Sequence, residues 1–362
     1  MRFGPVPLAQ AQGKILAHNI AGPDGARILR KGRPLTAEDI EKLAAIGRTS
    51  VYVAALEPGD VREDEAARRV AQAVLGENLK ISGTAGGRAN LLATTLGVLR
   101  VDVARLAQLN QCEGITLATL NAHGPVHARQ IVATIKIIPF AVPEAVVTQA
   151  ENIALGRTLP APVPPAQVSG GPPVRAEVEG PLLHVEALAP QPVALILSGS
   201  PSIQEKLLDD FAPLTDRISA LGSRVSATHF IPLEDESGEA ALAEQLAAQK
   251  AAGARLIVLA GETAIMDRHD IVPRALERAG GRVECVGAPV DPGNLLMLGY
   301  LGTVPVLGAP GCARSRKINI IDWVLPRLLV GEALTRADIY ALGHGGLLED
   351  APERPAPRSK VG

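Results

Sequence analysis

Short, almost uninterrupted apolar runs mark the second half of the chain. They are rich in Val, Leu and Ile and cover residues 193–197, 225–231, 256–260 and 304–307. The stretches between and after them have helical character, up to about residue 221, over 239–252, over 271–279 and over 319–330. Strands that are apolar throughout are buried on both faces, and their alternation with helices is typical of parallel sheets. The pattern therefore predicts an α/β domain with a doubly wound, mainly parallel sheet over residues 191–346.

The first half of the chain has a different pattern, which predicts an α+β region over residues 1–159. Three apolar or β-branched segments predict strands: 14–17, 50–53 and 131–138. Thr36 is followed by Glu38 and Asp39, and Gly47 comes about three turns later. This order predicts a helix that begins after a Thr36 cap and ends before Gly47.

Two stretches are rich in proline and glycine. Residues 160–190 begin with a run of closely spaced prolines and are predicted to be a linker, because proline removes backbone donors and glycine adds conformational freedom. Residues 347–362 are charged and Pro-rich, which predicts a disordered tail or a connector to a further domain.

Composition and charge limit the function classes. The 362 residues carry 36 Lys and Arg against 38 Asp and Glu, a formal net charge of −2, so no general attraction to nucleic acid is expected. Cys112, Cys285 and Cys312 are too few and too far apart to predict a disulfide framework or a zinc cluster. We find neither a signal peptide nor a membrane-spanning run, and we expect a cytoplasmic protein.

Candidate chemistry concentrates in four loops that leave the predicted strands, because ligands of such sheets bind beyond the carboxyl ends of the strands. The loop of residues 308–317 has two glycines three apart, followed by Arg314, Ser315, Arg316 and Lys317. A helix dipole contributes only about 0.3–1 kcal/mol. Charge-assisted hydrogen bonds contribute about 1.5–3 kcal/mol each, against the roughly 8 kcal/mol of micromolar binding. The cations of this loop therefore matter more than the dipole, although a solvated turn that caps a helix is an equally good interpretation.

Other loops offer weaker candidates. Residues 234–236 are acidic and could hold Mg²⁺ or form a hydrated loop tip. Asp270 is predicted to cap the helix that follows it, which leaves Asp267 as the better chemical candidate. Cys312 is interpreted as a small space-filling residue or as a thiolate activated by Arg314. The sequence lacks the common phosphate-loop, dinucleotide-binding, zinc-protease and nucleophile-elbow motifs.

Residues 192–332 resemble the molybdopterin-binding domain of molybdenum cofactor biosynthesis proteins. Residues 308–315 are similar to the family motif G-L-P-G-N-P-x-S, with Cys312 and Ala313 in place of Asn and Pro. Residues 260–263 with Asp267 and Arg268 are similar to its T-G-G-[TV] motif and the residues after it. Residues 292–294 are similar to its P-G-K-P turn. Residues 198–199 stand where the T-G of its first loop begins, and residues 234–235 stand near its acidic pair.

Two departures distinguish this chain from the family pattern: Glu262 replaces a glycine and Asn294 replaces a lysine. Residues 290–296 and the loop 308–315 together are more similar to a bacterial molybdopterin-binding branch, which is often fused to a carboxyl-terminal nucleotidyltransferase-like domain. Residues 8–17 and 30–36 are similar to the opening of the molybdenumtransferase amino-terminal region.

The resemblance implies that the chain binds molybdopterin or its adenylated form, with Mg²⁺, and inserts molybdate. Asp235 and Asp267 would be the catalytic residues and metal ligands. The residues implied in cofactor binding are Ser198, Gly199, Gly261, Glu262, Thr263, Arg268, Pro292, Gly293, Asn294, Gly308, Pro310, Gly311, Cys312, Ala313, Arg314 and Ser315. A non-catalytic carrier that hands the cofactor to a recipient molybdoenzyme or another biosynthesis protein is an alternative. A nucleotide hydrolase related to the competence-damage proteins is a third. A homo-oligomer is possible, and neither nucleic acid nor a membrane is an expected partner.

Overall fold

The computed structural model describes residues 1–157, 180–233 and 236–348. The mixed helix and strand content predicted from the sequence is confirmed in both halves. The amino-terminal lobe comprises β1 (Arg2–Pro7), β2 (Ile15–Leu16), β3 (Ile20–Ala21), β4 (Arg27–Leu29), α1 (Ala37–Ala45) and β5 (Ser50–Ala55). It has its own apolar core, in which Leu16, Leu43 and Val53 are fully buried. Thr36 caps α1 in a reciprocal arrangement with Asp39, as predicted.

A second α+β unit follows the lobe. Its elements are β6 (Asp60–Arg62), α2 (Glu63–Val74), β7 (Leu79–Ala85), β8 (Arg88–Ala93), β9 (Gly97–Val101), α3 (Val103–Leu109), β10 (Ile115–Thr119), β11 (Pro125–Val126), β12 (Ile131–Ile137), β13 (Ala141–Pro143), α4 (Glu144–Ala154) and β14 (Leu183–Ala187). Its main sheet is antiparallel in the order β10-β12-β8-β7. Helix α2 packs on that sheet through Ala66, Val70 and Val74.

Strand β14 corrects the predicted linker. The linker was predicted to run to residue 190, yet residues 183–187 pair in antiparallel fashion with β9, because Leu183 and Val185 alternate with half-exposed His184 and Glu186. The buried Arg105 donates to the carbonyl oxygens of Ala154 and Gly180, at 3.2 and 3.0 Å. Ala154 and Gly180, on the two sides of the undescribed segment, therefore both belong to this unit. Residues 158–179 lie outside the described residues, and the step into the last unit is the short segment 188–191.

The last unit contains a six-stranded sheet in the order β16-β15-β17-β20-β19-β18. Its elements are β15 (Pro192–Gly199), α5 (Gln204–Asp210), α6 (Ala212–Ala220), β16 (Arg224–Pro232), α7 (Glu236–Ala251), β17 (Leu256–Gly261), α8 (Ile271–Arg278), β18 (Arg282–Val286), β19 (Met297–Leu301), β20 (Val304–Gly308), α9 (Ile321–Leu329) and α10 (Arg336–Tyr340). Strands β16, β15, β17 and β20 are parallel, whereas β18 and β19 are antiparallel to their neighbours. A two-residue connection joins β19 to β20, which allows only a hairpin.

Helices cover both faces of this sheet. On β15, Leu195 and Leu197 point to one face, where they share a core with residues of α5, α6 and α9. Ala194 and Ile196 point to the other face and share a core with residues of α7 and α8. Burial on both faces explains why these strands are apolar at every position. Leu347 and Leu348 pair with Asp291 at the end of the described chain, so the predicted tail begins later than residue 347; residues 349–362 lie outside the described residues.

A buried charge cluster joins the second unit to the last one. We call Arg100, His123, Glu186, Arg327 and Glu332 the junction cluster. Arg100 on β9 donates to Glu332 at 2.8 Å, to Glu186 at 2.7 Å and to the Nδ1 atom of His123 at 2.6 Å. Arg327 on α9 donates twice to Glu332, at 2.6 and 3.0 Å. Among the helices of the described ranges, none is long and apolar enough to cross a membrane.

Candidate functional site

The carboxyl ends of β15, β17 and β20 lie side by side at one edge of the six-stranded sheet. Ser198 at the end of β15 is in register with Gly261 at the end of β17. Leu259 of β17 is in register with Gly308, which ends β20. The segments 198–200, 261–263 and 308–315 therefore meet at a common edge, which we call the carboxyl edge. This is where such sheets bind ligands.

Glu262 connects the first two of these segments. Its N–H donates to the Ser198 carbonyl oxygen at 2.8 Å. Its Oε2 atom accepts from both the N–H and the Oγ of Ser200, each at 2.9 Å. These hydrogen bonds from Ser200, aided by the charges of Arg314 and Lys206, lower the pKa of the Glu262 carboxyl. The carboxylate is therefore ionised at neutral pH and held over the end of β15.

Arg314 connects the third segment to the second. Its Nη2 atom donates to the Gly261 carbonyl oxygen at 2.6 Å and lies 3.4 Å from that of Glu262. Its Nη1 atom is 3.6 Å from Asp210, and the guanidinium carbon lies 4.8 Å from the ring centroid of Phe211. The Nε atom is buried and has no hydrogen-bond partner in the described part of the chain. Arg314 thus spans the edge, with most of its donors on the protein itself and one unused.

The two glycines of the 308–315 loop have different environments. A Cβ atom on Gly308 would lie 2.6 Å from the Ile265 side chain, so this glycine permits close packing within the protein. A Cβ atom on Gly311 would meet nothing within 4 Å. Gly311 begins a short 3₁₀ helix that ends at Arg314, and its N–H donates no hydrogen bond in the described ranges. Gly311 is therefore the point of this loop where the backbone is open to a ligand.

The glycines at the other two strand ends are also explained by packing. A Cβ atom on Gly199 would lie 2.8 Å from Cβ of Glu262, and one on Gly261 would lie 2.8 Å from Oγ of Ser198. Both positions therefore need glycine so that Glu262 can cross the end of β15. Thr263 is exposed on the same loop.

Two residues that sequence reasoning missed hold the 308–317 loop in place. Arg217 on α6 donates to the carbonyl oxygens of Ser315 and Lys317, both at 2.8 Å, and its Nε lies 2.8 Å from Asp322. The buried Asn319 donates to the carbonyl oxygens of Cys312 and Lys317 at 3.3 and 3.0 Å. The signal available for Arg217 was its position as a cation among the apolar residues 214, 218 and 221 of α6 and its carboxyl end.

The predicted Pro-Gly turn reaches this loop from the other side. The Pro292 carbonyl oxygen accepts from the N–H of Ile320 at 3.2 Å, and a Cβ atom on Gly293 would lie 2.5 Å from the Ile320 side chain. Ile320 follows Asn319 directly, so the turn packs beside the loop. Asn294 is exposed, and its carbonyl oxygen accepts from Ala288 at 2.8 Å.

Cys312 fits a space-filling role. Burial raises the pKa of its thiol to about 11, which the nearby Arg217 charge only partly opposes. Of the two interpretations, the space-filling residue is therefore supported over a thiolate activated by Arg314. Pro310 and Ala313 are buried beside it, and they shape the loop from within.

The loop that follows β17 turns away from the carboxyl edge. Asp267 accepts from the N–H of His269 at 2.7 Å, and Arg268 pairs with Glu277 of α8 at 3.0 Å. Asp270 is the N-cap residue of α8, as predicted, but it makes no side-chain capping hydrogen bond, because its carboxylate accepts from the N–H groups of Met266 and Asp267. No hydrogen bond described for Asp267 or Arg268 reaches the other predicted site residues.

The metal prediction is not tested by the structure. Asp235 lies outside the described residues. Within the described ranges, no three His, Cys, Asp or Glu side chains are grouped so as to hold a metal ion. The assignment of Asp235 and Asp267 as Mg²⁺ or molybdate ligands stays a prediction.

The chain was compared with protein families, with curated proteins and with solved structures. A family model described as a domain of unknown function, DUF8806, matches residues 5–55, which form most of the amino-terminal lobe. No curated protein matches the sequence. A molybdopterin biosynthesis MoeA protein from Pyrococcus horikoshii is 13% identical over 91% of this chain and 75% of its own, with a TM-score of 0.30.

Two further solved structures are similar to the chain. A molybdenum cofactor biosynthesis protein B is 16% identical over 39% of this chain and 96% of its own, with a TM-score of 0.28. A molybdenum cofactor biosynthesis protein from Pyrococcus furiosus is 11% identical over 94% of this chain and 65% of its own, with a TM-score of 0.22. At these TM-scores, a function has to be argued from the residues of the carboxyl edge themselves.

Proposed function

We propose that the carboxyl edge binds molybdopterin or adenylated molybdopterin and that the chain acts in molybdenum cofactor biosynthesis. The observation that carries this proposal is the meeting of four segments at one place: 198–200, 261–263, 292–293 and 308–315. These are the segments whose residues resemble the molybdopterin-binding family. On this proposal, the unit over residues 192–332 has the molybdopterin-binding fold, with the doubly wound sheet predicted from the sequence.

The donors left at the edge fit a phosphate group. Gly311 offers an N–H on open backbone, and the Nη1 atom of the partly exposed Arg314 guanidinium is engaged only in a 3.6 Å ion pair with Asp210 within the described part of the chain. Hydrogen bonds from a charged donor to a phosphate oxygen are among the stronger contacts in proteins. In this proposal Arg314 has two roles, since Nη2 holds the Gly261 carbonyl oxygen while Nη1 donates to the ligand.

Replacing Arg314 tests the phosphate position. The Arg314→Ala variant should bind molybdopterin at least about tenfold more weakly, the loss expected for one charge-assisted hydrogen bond. Arg316→Ala is the matched control, because Arg316 carries the same charge two residues later, is 77% exposed and pairs with Asp216. Pterin fluorescence titration of the purified protein gives both affinities. Equal affinities for the two variants and the unmodified chain would contradict this placement.

Whether the bound cofactor is also transformed is a separate question. On the transferase proposal, Asp235 and Asp267 hold Mg²⁺ or molybdate, and an assay with adenylated molybdopterin, Mg²⁺ and molybdate should give product. Asp235→Asn should then stop the transfer and spare pterin binding. A carrier that binds without transfer is favoured by Glu262, whose negative charge faces Ser200 at the same edge. Pterin binding with no product would support the carrier.

A further inference from the structure

We propose that Glu262 is an internal anion that fills an anion subsite beside Ser200, and that it thereby keeps a second phosphate group out of the carboxyl edge. This deepens the proposed function and rests on it only in taking the carboxyl edge as the ligand site. The consequence is a preference for ligands with a single phosphate at this edge over ligands that carry a diphosphate, so of the two ligands in the proposed function it selects molybdopterin over the adenylated form, whose phosphates form a diphosphate.

The geometry around Ser200 is that of an occupied anion subsite. The N–H and the Oγ of Ser200 converge on one oxygen of the Glu262 carboxylate, each at 2.9 Å. Backbone N–H and hydroxyl donors of this kind also bind phosphate oxygens. In the structure both donors are used by the protein's own carboxylate, so a ligand phosphate can use them only after Glu262 has moved.

The surroundings hold Glu262 in this position. Gly199 has no Cβ atom, and this leaves room for the Glu262 side chain. Arg314 donates to the Gly261 carbonyl oxygen, which fixes the peptide just before Glu262. The charges of Arg314 and Lys206 stabilise the carboxylate. An incoming phosphate would therefore compete for the same donors and cations and would also be repelled by a fixed negative charge.

A neighbouring carboxylate provides the matched control. Glu205 lies in the first turn of α5, close in sequence to Lys206, and it is exposed. No hydrogen bond or ion pair in the described part of the chain involves its side chain. Glu205→Gln removes the same charge near the subsite and leaves the Ser200 donors occupied, so it reports the long-range electrostatic effect alone.

The test is calorimetric titration of the full chain with inorganic pyrophosphate. Glu262→Ala should bind pyrophosphate at least about tenfold more tightly than the unmodified chain, since two charge-assisted donors become free. Glu262→Gln should show a smaller gain, because its amide oxygen can still accept from Ser200 while the charge is gone. Glu205→Gln should stay within about twofold of the unmodified chain. The double variant Ser200→Ala with Glu262→Ala should lose a measurable part of the gain, because the hydroxyl donor is gone while the N–H of residue 200 remains.

Several results would overturn the proposal. It fails if Glu262→Ala binds pyrophosphate no more tightly than Glu205→Gln, if no variant binds it, or if the full gain survives the loss of the Ser200 hydroxyl. Should Glu262→Ala fold poorly in thermal unfolding, the isosteric Glu262→Gln decides alone. Pyrophosphate contains no pterin, so the two proposals fail separately. A gain in pyrophosphate binding without any pterin binding sinks only the proposed function, and pterin binding without the gain sinks only this inference.

Discussion

Two groups of charged residues in this chain use the same side-chain types in different ways. In the junction cluster, Arg100 and Arg327 are largely buried, at 15% and 7% side-chain exposure, and both donate to Glu332. At the carboxyl edge, Arg314 is 33% exposed, donates chiefly to backbone carbonyl oxygens and keeps one buried N–H unused. Paired buried charges hold two units together, whereas the partly exposed Nη1 atom of Arg314, which has only a 3.6 Å ion pair with Asp210, is available to a ligand. The burial of the arginine side chains and the partners of their N–H groups, rather than their charge alone, therefore distinguish the junction cluster from the carboxyl edge.

Removing Glu332 should give the largest effect on stability. Glu332→Ala leaves Arg100 and Arg327 buried without their shared counter-ion, which is expected to lower the free energy of unfolding by about 3 kcal/mol or more. Glu277→Ala is the control, because it breaks the exposed pair with Arg268 and should cost less than about 1 kcal/mol. Chemical denaturation gives both values. Similar losses in the two variants would show that the junction cluster is no more than a set of surface contacts.

The next largest effect on stability is expected at Arg217, which holds the 308–317 loop of the carboxyl edge in place. Arg217→Ala removes donors from two carbonyl oxygens of the 308–317 loop and a partner from Asp322. We expect a loss of about 1–3 kcal/mol in unfolding free energy, because the Ser315 carbonyl oxygen loses its donor and Asp322 loses its cation, whereas the Lys317 oxygen keeps Asn319. We also expect weaker pterin binding, because the loop is less well held. Unchanged unfolding and unchanged pterin titration would remove Arg217 from the description of the site.

Acid should lower the free energy of unfolding through the titratable groups of the junction cluster. Burial, with the charge of Arg327 next, lowers the pKa of His123 from 6.5 to about 4. As the pH falls below 6.5 the unfolded chain therefore takes up a proton that the folded chain resists, and stability declines towards pH 4. Burial alone would raise the pKa of Glu332, but hydrogen bonds and charge from Arg327, with Arg100, lower it from 4.5 to about 2, so this group adds a loss below about pH 4.5.

His123→Asn isolates the histidine part of this pH dependence. His123 has a φ of 64°, which asparagine tolerates well. The slope between pH 6.5 and 4 should decrease, by less than about 1.4 kcal/mol per pH unit, since solvent reaches part of the ring. Unfolding free energies measured across this range give the slope for both chains. The same slope in both would assign the acid sensitivity to other groups.

The sequence predicted most of the sheet but not all of its directions. Strands β15, β17 and β20 were predicted because burial on both faces demands apolar residues at nearly every position. Strand β16 was also predicted, although it lies at the edge of the sheet and its residues are half-exposed or exposed. The antiparallel direction of β19 is encoded only in the two residues Gly302 and Thr303 that join it to β20. Strand β14 was missed because five alternating residues next to a Pro-rich stretch give a weak signal.

The site was predicted in its segments but not in its contacts. Glycines and cations in loops after apolar strands predicted the segments that meet at the carboxyl edge, because topology alone brings such loops together; that these segments bind a ligand stays a prediction. Ser200 donates to Glu262, 62 positions away, and Arg217 donates to the 308–317 loop, at least 98 positions away. No local sequence pattern encodes pairs that are so far apart. Most glycines of the edge proved to serve packing within the protein, a role that spacing does not distinguish from ligand contact.

Cys312 should show the smallest effect of the residues in the 308–315 loop. A thiol whose pKa burial raises to about 11 is almost wholly protonated at neutral pH, and the thiolate is the reactive form. We therefore expect slow alkylation of Cys312 by iodoacetamide at pH 7, compared with the same thiol in the urea-unfolded chain, and peptide mass spectrometry separates it from Cys112 and Cys285. Cys312→Ala should leave pterin affinity within about twofold and cost about 1 kcal/mol or less, as expected for a small, half-buried side chain. Rapid alkylation in the folded chain, together with loss of pterin binding in the alanine variant, would instead make Cys312 part of the carboxyl edge's chemistry and would blur its contrast with the junction cluster.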